Sequence, residues 1–440
     1  MSSSPEAGAL TSAERPQYHH HIPKLILCGF VSAVQPLPVP AGSSIFSSKQ
    51  RKKPQRRNEQ LNLISLHDGS LVQGLMACQY GLTDMHRDYR APQQHALEVK
   101  LATLEQKAGE IYAKARAAFG VPGTTFTLSR TEKTDLRKFL LPMKYRGHSM
   151  YSRFNVSTIA EYTGGDRDKL RSYMAAKGLE TPRDVWVANL YAFLDAKIDA
   201  GHLWHQVIRQ QAYEENADLF IYHVGASYMA FCKPQSASDE WLLTENVYSI
   251  LEGPSTGATE PVTGEPSQVY TEWHNFAPVS ASLLIVLWSN FLAWRHGQAW
   301  NGVAAKDIPR QSQSTCESRG CHVSAARCTN CSVLQCLTSY SPHDRFTFRC
   351  FELAPAHVNR INGLFLEEGL GTYGTAYKSG TAAAKAIKLY LEDTTRGLKS
   401  LEKPNSRRTQ YLVTLEKALQ ALGGTAGIML PARIISTRDR

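Results

Sequence analysis

The sequence predicts an α+β fold: a mainly helical layer packed on a small antiparallel sheet, with disordered basic ends. Three observations predict it. Apolar residues recur every three or four positions through residues 95–215, the period of helices buried along one face. Short alternating or continuously apolar runs follow at 227–233, 240–250, 283–288 and 346–350, which is strand patterning. Helical periodicity then returns at 355–368, 381–393 and 409–422. Helices and strands segregate along the chain instead of alternating, which argues against a doubly wound sheet.

Residues 1–17 are rich in Ser, Pro and Ala and read as a disordered tail. Residues 18–34 form an N-terminal motif segment, and 35–60 a basic linker or loop. The helical part spans 61–215. In 95–119 the apolar positions Leu97, Leu101, Leu104, Ala108, Ile111 and Ala115 line one face. Ser129 and Glu132 have capping-box spacing and open a second helix, which Pro142 should bend or shorten near its end. Residues 166–177 end at Gly178, a C-terminal stop, and Thr181-Pro182 starts a helix running to about residue 199. Residues 216–294 are the hairpin and strand part, in which 227–233 and 240–250 are expected to pair across the polar turn 234–239. Residues 343–395 supply a strand and helices of the same domain, and 396–440 a basic C-terminal helix and tail.

At 440 residues, 42% hydrophobic and 20% charged, the chain can bury a sizeable core, which excludes a wholly disordered or collagen-like protein. The net charge of +10 invites a nucleic-acid reading until it is located. Residues 1–60 carry 8 basic against 3 acidic side chains, and 396–440 carry 9 against 3. The stretch between them is therefore near neutral. A nucleic acid or an acidic partner would have to engage 49–57 and 396–440, because phosphate binding needs a basic surface. Other partners are left unknown.

The longest uncharged stretch, residues 275–294, contains Pro278, three serines and two asparagines. Its apolar centre at 283–288 suits a buried strand and is too short to span a bilayer, so no membrane partner is expected. Five of the nine cysteines lie within 316–336 and four are scattered singly, unlike a secreted disulfide framework. An intracellular location, cytoplasmic or nuclear, is expected. The Cys-rich stretch 295–342 has a single Cys-x-x-Cys, at Cys328 and Cys331. It can be read as a zinc site, an irregular insert or a gene-model artefact.

Two familiar motifs lack their structural setting. The glycines at 369, 371 and 374 spell a dinucleotide fingerprint, yet a helix precedes them where a strand is required. The run 253–257 spells a nucleophile elbow, yet a Pro- and Thr-rich stretch follows where a helix is required. Three consecutive histidines, 19–21, cannot all face one point, so at most two could ligate an ion. Glu98 and Glu105 are two helical turns apart, about 10 Å along one face, too far to share a metal but able to line one cleft.

The same residues carry a family resemblance. The opening His20-His-Ile-Pro-Lys24 with Phe30, the blocks 80–88 and 97–105, Leu136 to Arg146, Trp241 to Asn246, 248–254, Tyr270 to Ala277 and His357 to Asn362 resemble domain of unknown function family 4238, in its fungal branch. The resemblance covers roughly 18–290 and 343–395. Trp288 stands where the fungal pattern has arginine, Pro142 interrupts a helix otherwise free of proline, and 295–342 matches nothing in the family. The family has no established activity, so the resemblance implies kinship without a reaction.

The polar positions within those blocks sit on different elements, each next to apolar sequence. Buried ionisable groups are costly unless paired, so these side chains are expected to converge on one polar cleft. His20, Glu245 and Asn246 are the candidate catalytic residues, with His20 and Glu245 as a proton-transfer pair. Arg146, Glu98, Glu105 and Asn362 are the candidate substrate-binding residues, Arg146 being suited to grip a phosphate or carboxylate. No metal ligands and no cofactor are expected. Whether the protein is an enzyme stays open. The leading reading is a non-catalytic binding or scaffold protein with a buried polar network. The alternatives are a hydrolase-like or nuclease-like enzyme for a phosphate-bearing substrate, and nucleic-acid association through basic termini.

Overall fold

A computed structural model describes residues 15–35, 58–121, 123–198, 203–225, 227–246, 249–259, 266–289, 344–393 and 406–424. The basic run 49–57 and the cysteine-rich stretch lie outside the described residues.

The chain opens with β1 (Tyr18–His20), the short helix α1 (Lys24–Leu27) and β2 (Val31–Gln35), then β3 (Asn58–Ser65), β4 (Leu71–Leu75) and β5 (Gly81–Thr83). The long helix α2 (Ala96–Phe119) follows, with β6 (Thr125–Ser129), α3 (Arg130–Tyr145), α4 (His148–Phe154), α5 (Arg167–Lys177), α6 (Pro182–Asp195), α7 (Leu203–Gln211) and α8 (Glu214–Gly225). Strands β7 (Ser227–Pro234), β8 (Leu243–Thr244), β9 (Ser249–Thr259), β10 (Pro266–Ser280), β11 (Leu283–Ser289) and β12 (Arg345–Leu353) come next. The remainder is α9 (Pro355–Glu368), β13 (Gly374–Tyr377), α10 (Gly380–Glu392) and α11 (Ser406–Ala421). The α+β expectation holds, with the strands divided among three sheets.

The helices start and stop where local chemistry says they should. Ser129 accepts from the Glu132 N–H while Glu132 accepts from the Ser129 N–H, a complete capping box that starts α3. Thr181 and Asp184 repeat the arrangement at α6, with Pro182 in its first turn. Gly178 ends α5 at φ +62°, a left-handed conformation that costs glycine little. Pro142 lies inside α3, which ends three residues later.

The largest sheet runs β6-β12-β7-β11-β10-β9 and is antiparallel except between β12 and β7. Both its faces are covered, which explains why β11 carries no charge. Leu283, Ile285 and Leu287 face a core shared with α2, α3 and the N-terminal segment. Leu284 and Val286 face the other way, onto α9. A second sheet, β2-β3-β13-β8 with β4 also on β3, packs under α10 and α11. The third is the pair β1 and β5. Helices α4 to α8 surround a separate apolar core centred on Trp186, Leu190 and Phe193.

The expected hairpin of 227–233 with 240–250 does not form. β7 sits between β11 and β12 instead, because Met229 and Phe231 are buried on one side and Cys232 on the other. Trp241, Leu242 and Leu243 are all buried in succession, without a strand's alternation, and carry the chain into the second sheet, where β8 pairs with β13. The glycines 369–374 link α9 to β13, helix before strand, which is the wrong order for a dinucleotide site. Residues 253–257 fall within strand β9.

Candidate functional site

Two stretches of backbone place the N-terminal histidines. β1 pairs with β5, and the backbone bends on either side of β5, where Tyr80 and Asp84 adopt left-handed φ of 54° and 56°. A bulky residue such as Tyr80 rarely adopts that conformation, and such strain persists only where surrounding bonds hold it. Here the His21 N–H donates to the Tyr80 carbonyl, the Asp84 N–H to the Gln17 carbonyl, and the Gln17 N–H to the Asp84 carboxylate. The outcome sends the three histidines to three different places.

His19 is turned inward, where its Nδ1 accepts the backbone N–H of His86 at 2.9 Å. The two rings stack, 5.2 Å between centroids and 8° between planes, and His86 stacks in turn against Trp186 of α6. The Nδ1 of His86 is 2.6 Å from Glu98 Oε2, in the first turn of α2. Burial raises the Glu98 carboxyl, but the hydrogen bond from His86 and the charges of His86, His19 and Arg146 outweigh it and hold the group at about 2. Burial pushes both His19 and His86 down. With Glu98 ionised, His86 donates to it from Nδ1, which leaves Nε2 as the far ring nitrogen. Neither His86 Nε2 nor His19 Nε2 has a hydrogen-bond partner among the described residues, and both atoms are buried.

His20 points the other way, with Nδ1 2.9 Å from the Gln79 carbonyl oxygen. It is half-buried, and its lowered pKa reflects burial first, with Lys24 and Arg146 adding to the shift while the Gln79 carbonyl and Glu98 oppose it. His21 is buried against the Tyr80 ring and pushed down to about 3 by burial and by the charges of His148, Arg146, His86 and His20. Arg146 caps the C-terminus of α3 and is buried, with Nη2 2.7 Å from Glu105 Oε1. Glu98 and Glu105 thus share one face of α2 and flank Arg146, but the two carboxylates take separate partners.

The second half of the predicted set lies toward β8 and β13. Glu245 accepts the Tyr373 N–H on Oε1 at 3.0 Å, while Oε2 is 3.6 Å from His148 Nδ1 and has no hydrogen-bond partner among the described residues. Burial pushes the Glu245 carboxyl up to about 7 against the pull of the Tyr373 and Gly374 amides. Asn246 accepts from the Ser149 N–H and donates to the Glu368 carbonyl. Asn362 accepts from the Leu242 N–H at 3.0 Å and donates to the Glu240 carbonyl at 2.8 Å. Both amides are thus occupied with backbone.

Of the expected site residues, Arg146 meets Glu105, Glu98 meets His86, His20 meets the Gln79 carbonyl, and Glu245 lies beside His148. Asn362 stands apart, clamping the crossing at Glu240 and Leu242. Sequence reasoning missed His86 and His148. His86 lies inside the block 80–88, one helical entry before Glu98, so pairing that block with the α2 carboxylates was the available signal. His148 follows Arg146 by two residues, and no periodicity marks it.

The family described as Protein of unknown function (DUF4238) matches residues 18–368, from the first residue of β1 to the last of α9. The chain belongs to the DUF4238 family. All the polar residues described above except Gln17, Tyr373 and Gly374, which contribute backbone groups, fall within the matched DUF4238 region. No curated protein and no solved structure matches the chain. Among the described residues no helix is long and apolar enough to cross a membrane.

Proposed function

We propose that this DUF4238 protein is a non-catalytic binding or scaffold protein whose buried polar network ties the helical layer to the sheets and to the N-terminal segment. The observation that carries the reading is the state of the polar side chains. Arg146 is paired with Glu105, Glu98 with His86, and Asn246 and Asn362 with backbone groups from other elements. Groups held this way fix a shape, whereas side chains reserved for substrate are usually left with free valences. Asn246 and Asn362 are then positioning residues, and Glu98, Glu105 and His20 form the part-exposed rim of the network.

Stability separates this reading from an enzymatic one. Glu105→Ala leaves the Arg146 guanidinium buried without its counter-charge, and a broken buried pair costs about 3 kcal/mol or more. Urea unfolding should show that loss. A residue kept for chemistry instead gives an unchanged or more stable protein when removed, and that result would overturn the proposal.

A hydrolase-like or nuclease-like reading is favoured by one observation: Glu245 Oε2 faces His148 with no hydrogen-bond partner among the described residues, and the carboxyl holds its proton to about 7. Such a carboxylic acid suits general acid work. Cleavage of bis(p-nitrophenyl) phosphate by the full chain, lost in Glu245→Gln, is the result that would select it.

A further inference from the structure

We propose that His19, His86 and Glu98 form a binding site for one divalent transition-metal ion, zinc foremost. The histidine run fails as a metal site by itself because its three side chains diverge. One of them, His19, instead joins a histidine and a carboxylate from elsewhere in the chain, and one ligand atom from each of the three lies within 4.8 Å of the others. Two imidazoles with one carboxylate is a donor set that zinc takes with a fourth position left open, and it also suits iron.

A second observation points to the same place. The Nε2 atoms of His19 and His86 are buried and have no hydrogen-bond partner among the described residues. Buried polar atoms are almost always satisfied, so the orphaned His19 Nε2 beside a carboxylate calls for a missing partner. The supporting shell is also present. Trp186 backs the His86 ring, and the strained turn between Tyr80 and His86 fixes where that ring starts. The Glu98 side chain is 37% exposed, which gives an ion a way in. The nearby Arg146 cation is matched by Glu105, so it does not leave the site with a net positive neighbour.

Ligand atoms around zinc stand roughly 3.4 Å apart, from bonds of ~2.1 Å at the tetrahedral angle, so His19 moves in by up to about an ångström while the 2.6 Å contact of His86 with Glu98 opens by nearly as much. If the ion takes the place of the proton between His86 Nδ1 and Glu98 Oε2, that proton leaves to solvent. His19 accepts the His86 N–H on Nδ1, so its own proton sits on Nε2. Ligation through Nε2 moves that proton to Nδ1 and frees the His86 amide. One backbone hydrogen bond is given up and three metal–ligand bonds form.

The test uses the full chain, stripped with EDTA, loaded with Zn2+, desalted and assayed for metal by mass spectrometry, with a parallel Co2+ titration. Wild type should hold about one equivalent more than Glu98→Gln and His19→Ala, and His20→Ala should match wild type. The Co2+ difference spectrum between wild type and Glu98→Gln should show visible d–d bands without thiolate charge-transfer bands, which separates this site from the cysteines at 316–336. Equal metal content in wild type, Glu98→Gln and His19→Ala overturns the proposal. So does a thiolate spectrum in the difference, or wild type holding less than about a tenth of an equivalent. Because His86 is wholly buried and its truncation risks unfolding, Glu98→Gln decides, with near-UV circular dichroism confirming that it is folded. The inference stands apart from the scaffold reading, since an ion binds here or not whatever Glu105→Ala does to stability.

Discussion

Two polar clusters lie within the same chain and differ in one respect. Around Asn362 and Asn246 every amide atom meets a backbone group, and the two side chains lock a buried crossing to α9 and α4. Around His19 and His86 the backbone is equally well tied, but the far ring nitrogens meet nothing among the described residues. Asn362 is as buried as His19 and His86, so burial alone does not separate structure from function. The separating quantity is whether the outward-facing valences are filled.

Glu245, the residue before Asn246, offers the largest effect with which to break that contrast. Unfolded, its carboxyl ionises near 4.5, while folded it holds its proton until about 7. Between those values the native state keeps a proton that the unfolded state has lost, so stability falls as pH rises through this window and levels off above it. Relative to Glu245→Gln, wild type should lose roughly 3 kcal/mol between pH 4.5 and pH 8 in urea titrations. A difference that does not vary with pH would place Glu245 among the satisfied groups.

The next effect belongs to the filled cluster. Asn362→Ala strands the Leu242 N–H and the Glu240 carbonyl, a loss of about 2 kcal/mol. An unchanged unfolding midpoint would show that the crossing does not need its clamp. The smallest effect sharpens the other side. Thr181→Ala removes the cap of α6, which carries the Trp186 that backs His86, and should cost about 1 kcal/mol. If Thr181→Ala also lowers metal retention, the support of the His86 ring depends on α6 as a whole rather than on Trp186 packing alone.

Helices were legible because their signals are local. Ser129 with Glu132, Thr181 with Pro182, and Gly178 each fix a terminus within a few residues of chain. Strand existence was legible for the same reason, but partners were not: nothing near Ser227 says that Arg345 to Leu353 will lie beside it. The hairpin expectation failed because it applied the short-loop rule to a strand buried on both faces. The candidate site divides the same way. Glu98 and Glu105 share a face by helical spacing alone, and the pairing of buried Arg146 with Glu105 fits the cost of burying a charge. His86 reached the site through a backbone turn with two left-handed residues, and neither Tyr80 nor Asp84 announces that conformation in sequence.

The parallel pairing of β12 with β7 has a consequence for how the molecule is made. When β7 leaves the ribosome, its neighbour on one side lies more than a hundred residues away, still untranslated. Until that segment arrives, a mostly apolar central ribbon has one row of amides and carbonyls open to any passing chain. Assembly of the large sheet must therefore wait until Leu353 has been made, and for that interval the open edge of β7 stays exposed to wrong partners.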